Sequence, residues 1–236
     1  MNILITRPLI DSEDLMGKLF SLGHKIVHIP TLKISASNAN PVDAKKYDAF
    51  IFTSANAIRN LKLNNLDNSK ICFCVGSITE KIVRQKGYNN TISAGGTVNA
   101  LKNIILSSDQ IDKKKSIAYF CGDYISSNLD IELKNEGFQI DKIINYTSEK
   151  ITDLNVENNK IIKNHPPDIT FIYSKRSAES FDEIVRKYSF SELMTQCTVM
   201  CISKKIKEFL KSKGWNKTEL FNPGEELIKI DQIKNG

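Results

Sequence analysis

Asp48-Ala49-Phe50-Ile51-Phe52-Thr53-Ser54-Ala55-Asn56-Ala57-Ile58 is the stretch from which the organisation of this 236-residue chain can be read. Its apolar run has the length of a buried strand. The run stops abruptly at small polar residues that can cap a following helix, Ala57 to Leu61. A strand that ends at a helix N-terminus leaves backbone N–H groups and hydroxyls directed one way, and such a corner suits an anionic ligand.

Outward from this stretch the pattern recurs. Strands are expected at residues 2–5, Lys25–Ile29, Ile71–Val75, Ser116–Phe120, Ile140–Asn145, Asp168–Tyr173 and Thr198–Ile202. Helices are expected at residues 11–22, Thr79–Lys86, from near Val98, and over Ser126–Asn135, Ser177–Tyr188 and Lys204–Lys213, with Gly23, Gly87, Gly137 and Gly214 as closing glycines. Residues 33–46 read as a connection, and Gly95-Gly96-Thr97 as a helix-entry turn. Strands alternating with helices indicate α/β with parallel sheets.

The pattern also repeats. Ile117-Ala118-Tyr119 lies 114 residues after Ile3-Leu4-Ile5, and Gly137 lies 114 after Gly23. Ser174 lies 120 residues after Ser54, while Cys201 and Gly214 lie 127 after Cys74 and Gly87. Offsets that grow in one direction are what loop insertions leave in a duplicated chain. The repeat alone suggests two similar halves split near residue 114, with a ligand held between them by loops at strand C-termini. On that reading Thr6-Arg7-Pro8, Thr53-Ser54, Gly76-Ser77 and Gly95-Gly96 line one side, and Gly122, Ser174 and Ser203 the other.

Composition narrows the function. With 41% apolar and 25% charged residues the chain should bury a core, and a net charge of +6 favours an acidic partner. The densest basic run, Lys113-Lys114-Lys115, reads as a solvated loop, and no basic stripe with interleaved aromatics supports nucleic-acid binding. No apolar run approaches the roughly 20 residues of a membrane span, and the N-terminal run breaks too early for a signal peptide. A cytoplasmic protein is expected. Cys72, Cys74, Cys121, Cys197 and Cys201 read as buried free thiols. Neither they nor His24, His28 and His165 have metal-ligand spacing. No Ser-His-Asp set, paired carboxylates or P-loop is evident. Arg7 is the best candidate cation for an anionic ligand; Lys175 and Arg176, beside Ser174, are others.

Taken in order, Ile5-Thr6-Arg7-Pro8, Gly23 … Ile29-Pro30, Asp48 … Ala57, Val75-Gly76 … Thr79 … Gly87, Ile144-Asn145-Tyr146-Thr147, Tyr173-Ser174-Lys175-Arg176-Ser177-Ala178 … Phe181 and Cys201-Ile202-Ser203 … Gly214-Trp215 resemble the uroporphyrinogen-III synthase family over nearly the whole chain. The resemblance implies two similar α/β domains with parallel sheets, joined by a two-stranded β-ladder with a cleft between them. It implies that residues 1–33 and 151–236 form one discontinuous domain and 36–145 the other, with crossings near 32–35 and 146–149. The implied reaction cyclises hydroxymethylbilane, a linear tetrapyrrole, to uroporphyrinogen III with loss of water and inversion of ring D. The resemblance implies a monomer and no cofactor or metal.

Tyr146 matches the family's cleft tyrosine, the favoured proton donor to the leaving hydroxyl. Ser54 and Ser174 match cleft hydroxyls, and Thr79 matches a family threonine. Thr53, Asn56, Gly76 and Ser203, with Arg7 and Lys175, complete the expected substrate contacts. From position alone Tyr146 is a strand-end aromatic and Ser54 and Ser174 are helix N-caps, and capping is compatible with substrate contact. The second half departs from the pattern: Ser203 stands where Gly is expected, Ile206 where a Thr often sits, and Tyr173 replaces the Thr of the first-half Thr-Ser pair. The competing reading is a non-catalytic two-lobed binding module for an anionic metabolite, in which Tyr146 is dispensable.

Overall fold

The apolar runs form strands buried on both faces. The computed structural model describes residues 1–235. In chain order the elements are β1 (Asn2–Ile5), α1 (Leu9–Ser21), β2 (Lys25–His28), β3 (Leu32–Ala36), β4 (Val42–Asp43), a 3-10 turn (Ala44–Lys46), β5 (Ala49–Phe52), α2 (Ala55–Arg59), β6 (Leu63–Asn64), β7 (Ile71–Cys74), α3 (Ser77–Gln85), β8 (Thr91–Ser93) and α4 (Val98–Ser107). There follow β9 (Ser116–Gly122), α5 (Leu129–Asn135), β10 (Gln139–Lys150), α6 (Val156–Asn164), β11 (Ile169–Ile172), α7 (Lys175–Lys187), β12 (Thr198–Cys201), α8 (Lys204–Ser212), β13 (Thr218–Leu220) and α9 (Glu226–Asn235).

These elements make two units, Met1–Lys33 with Glu149–Gly236, and Ile34–Ser148. The chain passes from one unit to the other within β3 and again within β10. The first unit holds a sheet of order β13-β12-β11-β1-β2; the second holds β3-β10-β9-β5-β7-β8 and a small β4-β6 pair. The ladders from β13 to β2 and from β10 to β8 are parallel.

Parallel strands need helical crossovers on both faces, so successive side chains enter different cores. In β5, Ala49 and Ile51 pack with Leu101 and Ile105 of α4, while Phe50 and Phe52 pack with Ala57, Ile58 and Val83 of α2 and α3. In β1, Leu4 joins the core under α7 and α8, while Ile3 and Ile5 join Leu19 of α1 and Ile230 of α9.

The pairing follows the sequence offsets residue by residue. Ile5 pairs with Phe171 as Tyr119 pairs with Ile51; Tyr119 lies 114 residues after Ile5, and Phe171 lies 120 after Ile51. Val199 pairs with Thr218 as Cys72 pairs with Thr91, each partner 127 residues from its equivalent. Gly23 and Gly137 occupy equivalent helix ends with φ of 78° and 95°, a region where a Cβ is strained.

The halves nonetheless do not fold as the halves of the sequence. β1 pairs with β11, and β9 pairs with β5, so a split near residue 114 is contradicted. Thr6-Arg7-Pro8 therefore belongs with Ser174 and Ser203, and Gly122 with Thr53 and Gly76. Equivalent strands carry similar side chains, so the repeat cannot say which copy completes which sheet. Numbered in their own chain order, the first unit's strands run 2-1-3-4-5, and the second has the same arrangement permuted to begin at its third strand. In each sheet the order reverses once, between β1 and β11 or between β9 and β5. At such a switch point the flanking connections leave to opposite faces and open a crevice at the carboxyl ends.

Several boundaries differ from expectation. Residues 33–46 contain β3, β4 and the 3-10 turn, α2 starts at Ala55, and β10 continues to Lys150. Among the described residues, no helix is long and apolar enough to cross a membrane. All five cysteines are buried and free.

Burial pushes the thiols up, Cys121 to about 11 and Cys74, Cys197 and Cys201 to about 12, with Cys72 shifted in the same direction. In the unfolded chain a thiol ionises near its ordinary value of 9.0. The raised folded values stabilise fully below that pH, and the contribution is lost as pH rises through them, by about 1.4 kcal/mol per pH unit for each thiol. The urea midpoint is expected to stay level to about pH 9 and to fall above it. A midpoint that holds level to pH 10.5, roughly two units above an unperturbed thiol, contradicts the burial.

Candidate functional site

The second unit's switch point lies where β5 and β9 end. Ser54 follows β5 in extended conformation and caps α2, its Oγ accepting from the Asn56 amide at 3.2 Å. The Asn56 side-chain oxygen accepts from the Arg59 guanidinium at 3.3 Å. Beside Ser54, Thr53 Oγ1 and the Tyr119 hydroxyl share a hydrogen bond of 3.1 Å.

Tyr146 reaches this corner from β10. The ladder with β9 shifts register between Ile144 and Tyr146, and Tyr146 falls opposite Gly122. An irregularity of this kind re-aims the side chains around it. The Tyr146 carbonyl accepts from the Asp123 amide at 3.1 Å, and the Asp123 carboxylate accepts from the Ser148 amide at 2.9 Å. One residue earlier, the Asn145 amide group donates to the Ala57 carbonyl at 2.6 Å and ties β10 to α2.

The Tyr146 side chain is 8% exposed and packs closely on Gly122, where an added Cβ would lie 2.7 Å from two of its ring carbons and 3.0 Å from its oxygen. Burial pushes the phenol above its ordinary 10.0, while hydrogen bonds to the Ser54 side chain and the Gly122 backbone act against that. The Ser54 hydroxyl, whose oxygen accepts from the Asn56 amide, is thus also a hydrogen-bond partner of the phenol. The Gly122 amide donates as well. The corner therefore holds a protonated, oriented donor across the neutral range.

Gly76 and Thr79 belong to the next turn along the sheet. A Cβ on Gly76 would lie 3.7 Å from the Gly96 Cα, and the Gly96 amide donates to the Val75 carbonyl at 2.7 Å. Thr79 is buried in the first turn of α3.

The first unit's switch point lies between the ends of β1 and β11. The Arg7 guanidinium sits 4.4 Å from the centroid of the Tyr173 ring, and 3.8 Å separates it from the Asp11 carboxylate. Ser174 caps α7, accepting from the Ser177 amide at 3.0 Å. Lys175 turns toward its own helix and α8, with its ammonium 3.9 Å from Glu179 and 5.7 Å from the Phe209 ring centroid. Ser203 caps α8, accepting from the Ile206 amide at 3.4 Å, and lines a cavity of about 310 Å³ with Lys204, Asn222 and Lys229.

In the second unit Ser54 meets Tyr146, while Thr53 meets Tyr119 and Asn56 meets Arg59, with Gly76 and Thr79 one strand away. In the first unit Arg7 meets Tyr173 beside the Ser174 cap, while Ser203 lies at the next strand. Sequence reasoning missed Tyr119, Asp123 and the contact between Gly122 and Tyr146. The available signal was Gly122-Asp123 itself, a glycine and a turn-forming carboxylate closing an apolar run. Among the described residues, no three His, Cys, Asp or Glu side chains gather as a metal site.

Two permuted copies of one doubly wound sheet, each with capped helices at its switch point, define an α/β protein suited to anionic ligands. The HEM4 family model, described as uroporphyrinogen-III synthase HemD, matches residues 13–219. The chain belongs to the uroporphyrinogen-III synthase family. Among solved structures it is similar to the uroporphyrinogen-III synthetase of Helicobacter pylori, with 17% identity, a TM-score of 0.63 and coverage of 100% of this chain and 99% of that one. It is also similar to a mutant uroporphyrinogen III synthase of the thermophilic bacterium Thermus thermophilus, with 14% identity, a TM-score of 0.62 and coverage of 100% and 97%. At these identities the likeness is one of fold. No curated protein sequence matches the chain.

Gly122→Ala is expected to push the Tyr146 ring off its seat, at a cost of about 1–3 kcal/mol. The displaced phenol gains water, so its titration should move down toward the ordinary 10.0. Carbon-13 NMR of ring-labelled tyrosine reads this shift. A Tyr146 titration identical to that of the unsubstituted protein counts against the close packing.

Proposed function

We propose that this chain cyclises hydroxymethylbilane to uroporphyrinogen III, as a cytoplasmic monomeric hydro-lyase with Tyr146 as proton donor. The observation that carries the reading is the Tyr146 phenol, buried against Gly122, protonated and hydrogen-bonded to the Ser54 side chain at a switch point.

The C–O bond of the substrate's hydroxymethyl group breaks, and the phenol proton leaves with the hydroxyl as water. The pyrrole electrons that expel it leave an electrophilic azafulvene. The substituted carbon of ring D attacks this centre and gives a spiro intermediate. Fragmentation and reclosure through the other carbon invert ring D. The proton lost from that carbon restores the phenol, so water is the only net product besides the macrocycle. Left alone, the substrate closes to the uninverted isomer, so the protein must steer closure by holding a conformation.

The substrate bears an acetate and a propionate on each ring. Backbone amides and hydroxyls at Thr53, Ser54, Asn56, Gly76, Thr79, Ser174 and Ser203 are proposed to share these carboxylates with the cations Arg7 and Lys175. No cofactor is invoked.

The test supplies enzymatically generated hydroxymethylbilane and separates the type I and type III isomers after oxidation. Excess type III is expected. Type I alone sinks the enzyme reading and leaves a binding module. Tyr146→Phe is expected to lower kcat about 100-fold, the lower end of the range for loss of a general acid, with an unchanged urea midpoint. Full turnover in that variant removes Tyr146 as donor.

A further inference from the structure

The two switch points are built from equivalent positions but filled differently. In the second unit the phenol is Tyr119, on β9, and its hydroxyl meets Thr53. In the first unit the position equivalent to Tyr119 is Ile5, and the one equivalent to Thr53 is Tyr173. The phenol has moved across the crevice to the neighbouring strand. In the same unit, and only there, the residue two beyond the phenol's original position is a cation: Arg7, where the second unit has Cys121. The displaced phenol and the cation occur together, and they touch, with the guanidinium 4.4 Å from the ring centroid.

Tyr173 is itself anchored. Its hydroxyl donates to Glu226 Oε1 at 2.9 Å, and Glu226 Oε2 accepts from the Gly224 amide at 2.8 Å. Glu226 opens α9 and is 7% exposed. Phe221 stands edge-on to the ring at 5.4 Å. Burial and the Glu226 carboxylate push the Tyr173 phenol up, so it remains a donor. The backbone of Arg7 is held too, its carbonyl 2.8 Å from His28 Nε2. A guanidinium lying on an aromatic face uses its plane for that contact and directs its N–H edges toward carboxylates, of which Asp11 already lies 3.8 Å from Arg7. Stacking also removes the rotamer freedom that a long cation otherwise loses on binding.

We propose that Tyr173 and Glu226 are positioning residues that fix Arg7 as the docking point for one substrate carboxylate. This rests on the reading of the chain as a hydroxymethylbilane cyclase. The pair Arg7–Tyr173 stands in for the small hydroxyl residue that the second unit has at this place, so the first unit binds through a held charge.

The test measures kcat, KM and the isomer ratio for Arg7→Ala, Tyr173→Leu and the double variant, each checked by its urea midpoint. Tyr173→Leu and Arg7→Ala are each expected to raise KM about tenfold, with smaller changes in kcat, as for a lost binding contact. The double variant should be no worse than Arg7→Ala, because a residue acting through Arg7 has nothing to add once Arg7 is gone. Glu226→Ala should raise KM by about threefold, and Glu226→Gln, which keeps an acceptor, should restore it. Multiplicative effects in the double variant, or a normal KM in Tyr173→Leu beside a raised one in Arg7→Ala, overturn the positioning role and leave the functional reading intact. Should Tyr173→Leu not fold, Tyr173→Phe and Glu226→Ala serve the same purpose, and additive effects of that pair overturn the proposal. Type I isomer alone from the unsubstituted protein overturns the functional reading and the proposal with it.

Discussion

A strand covered on both faces by helices has no place for an unpartnered polar side chain along its length, so polarity collects where the strand stops, and Thr170 within β11 has the Cys197 thiol as its partner. That constraint shapes both sheets. Phe50, Ile51 and Phe52 are fully buried, and Thr53 and Ser54 follow at once. Ile169 to Ile172 are likewise buried, and Tyr173 and Ser174 follow. The polar residues then serve twice. Ser54, Ser174 and Ser203 each satisfy an amide at the start of a helix, which removes an unpaired donor worth about 1 kcal/mol. They also stand at the end of the sheet where a ligand can be met. An N-cap serine accepts with its oxygen and still has hydrogen-bonding capacity to spare, and at Ser54 a second bond goes to Tyr146.

Tyr146 shows how a phenol is held in place by its surroundings. Its ring needs a flat floor, supplied by a residue lacking a side chain at Gly122. Its position needs a break in the regular ladder, supplied by the register shift after Ile144. Its backbone needs a fixed anchor, supplied by Asp123. None of these is the phenol's own property. A tyrosine elsewhere on β10 would alternate into a core or toward water like its neighbours.

The architecture was legible because it repeats. Offsets of 114, 120 and 127 residues place Ile117, Ser174 and Cys201 opposite Ile3, Ser54 and Cys74, and the strand registers obey them. What a repeat cannot carry is which copy pairs with which, since β1 and β9 present equivalent apolar edges to their neighbours. Short edge strands were also hidden. β8 and β13 span three residues each and lie at the margins of their sheets, where Thr91-Ile92-Ser93 and Thr218-Glu219-Leu220 show no sustained apolar run. α6 and α9 were missed because each buries only a narrow stripe: Ile162 in one, and Leu227, Ile230 and Ile233 in the other, among many charged and amide side chains. At the site, the individual corner residues were legible as types. Their partners were not, because the contacts of Tyr146 with Gly122 and of Tyr173 with Glu226 join positions whose pairing depends on strand order and helix placement.

For the proposed reaction the energetic demand on these corners is modest in one respect and severe in another. A tenfold preference for the inverting route over direct closure needs about 1.4 kcal/mol in favour of the spiro transition state. That is the size of a single hydrogen bond to a charged group. A dispersed set of hydroxyls, amides and one stacked cation is therefore sufficient to choose the isomer, and no dense catalytic cluster is required. The severe demand is on rigidity, because a preference so small is lost if the contacts wander. It is met where the structure spends its buried polar bonds: on the seat of Tyr146, and on the Thr6, Thr31 and Ser177 hydroxyls that join the end of β1 to the start of α7, with Thr6 donating to the Phe171 carbonyl at 2.7 Å and Thr31 lying 2.5 Å from Ser177. Those hydroxyls are buried and bonded to one another and to backbone carbonyls. They hold the two chain ends that flank Arg7 and Ser174 at a fixed spacing, so that a charge and a capped helix start keep one constant geometry, as the proposed binding of a flexible, many-armed anion requires.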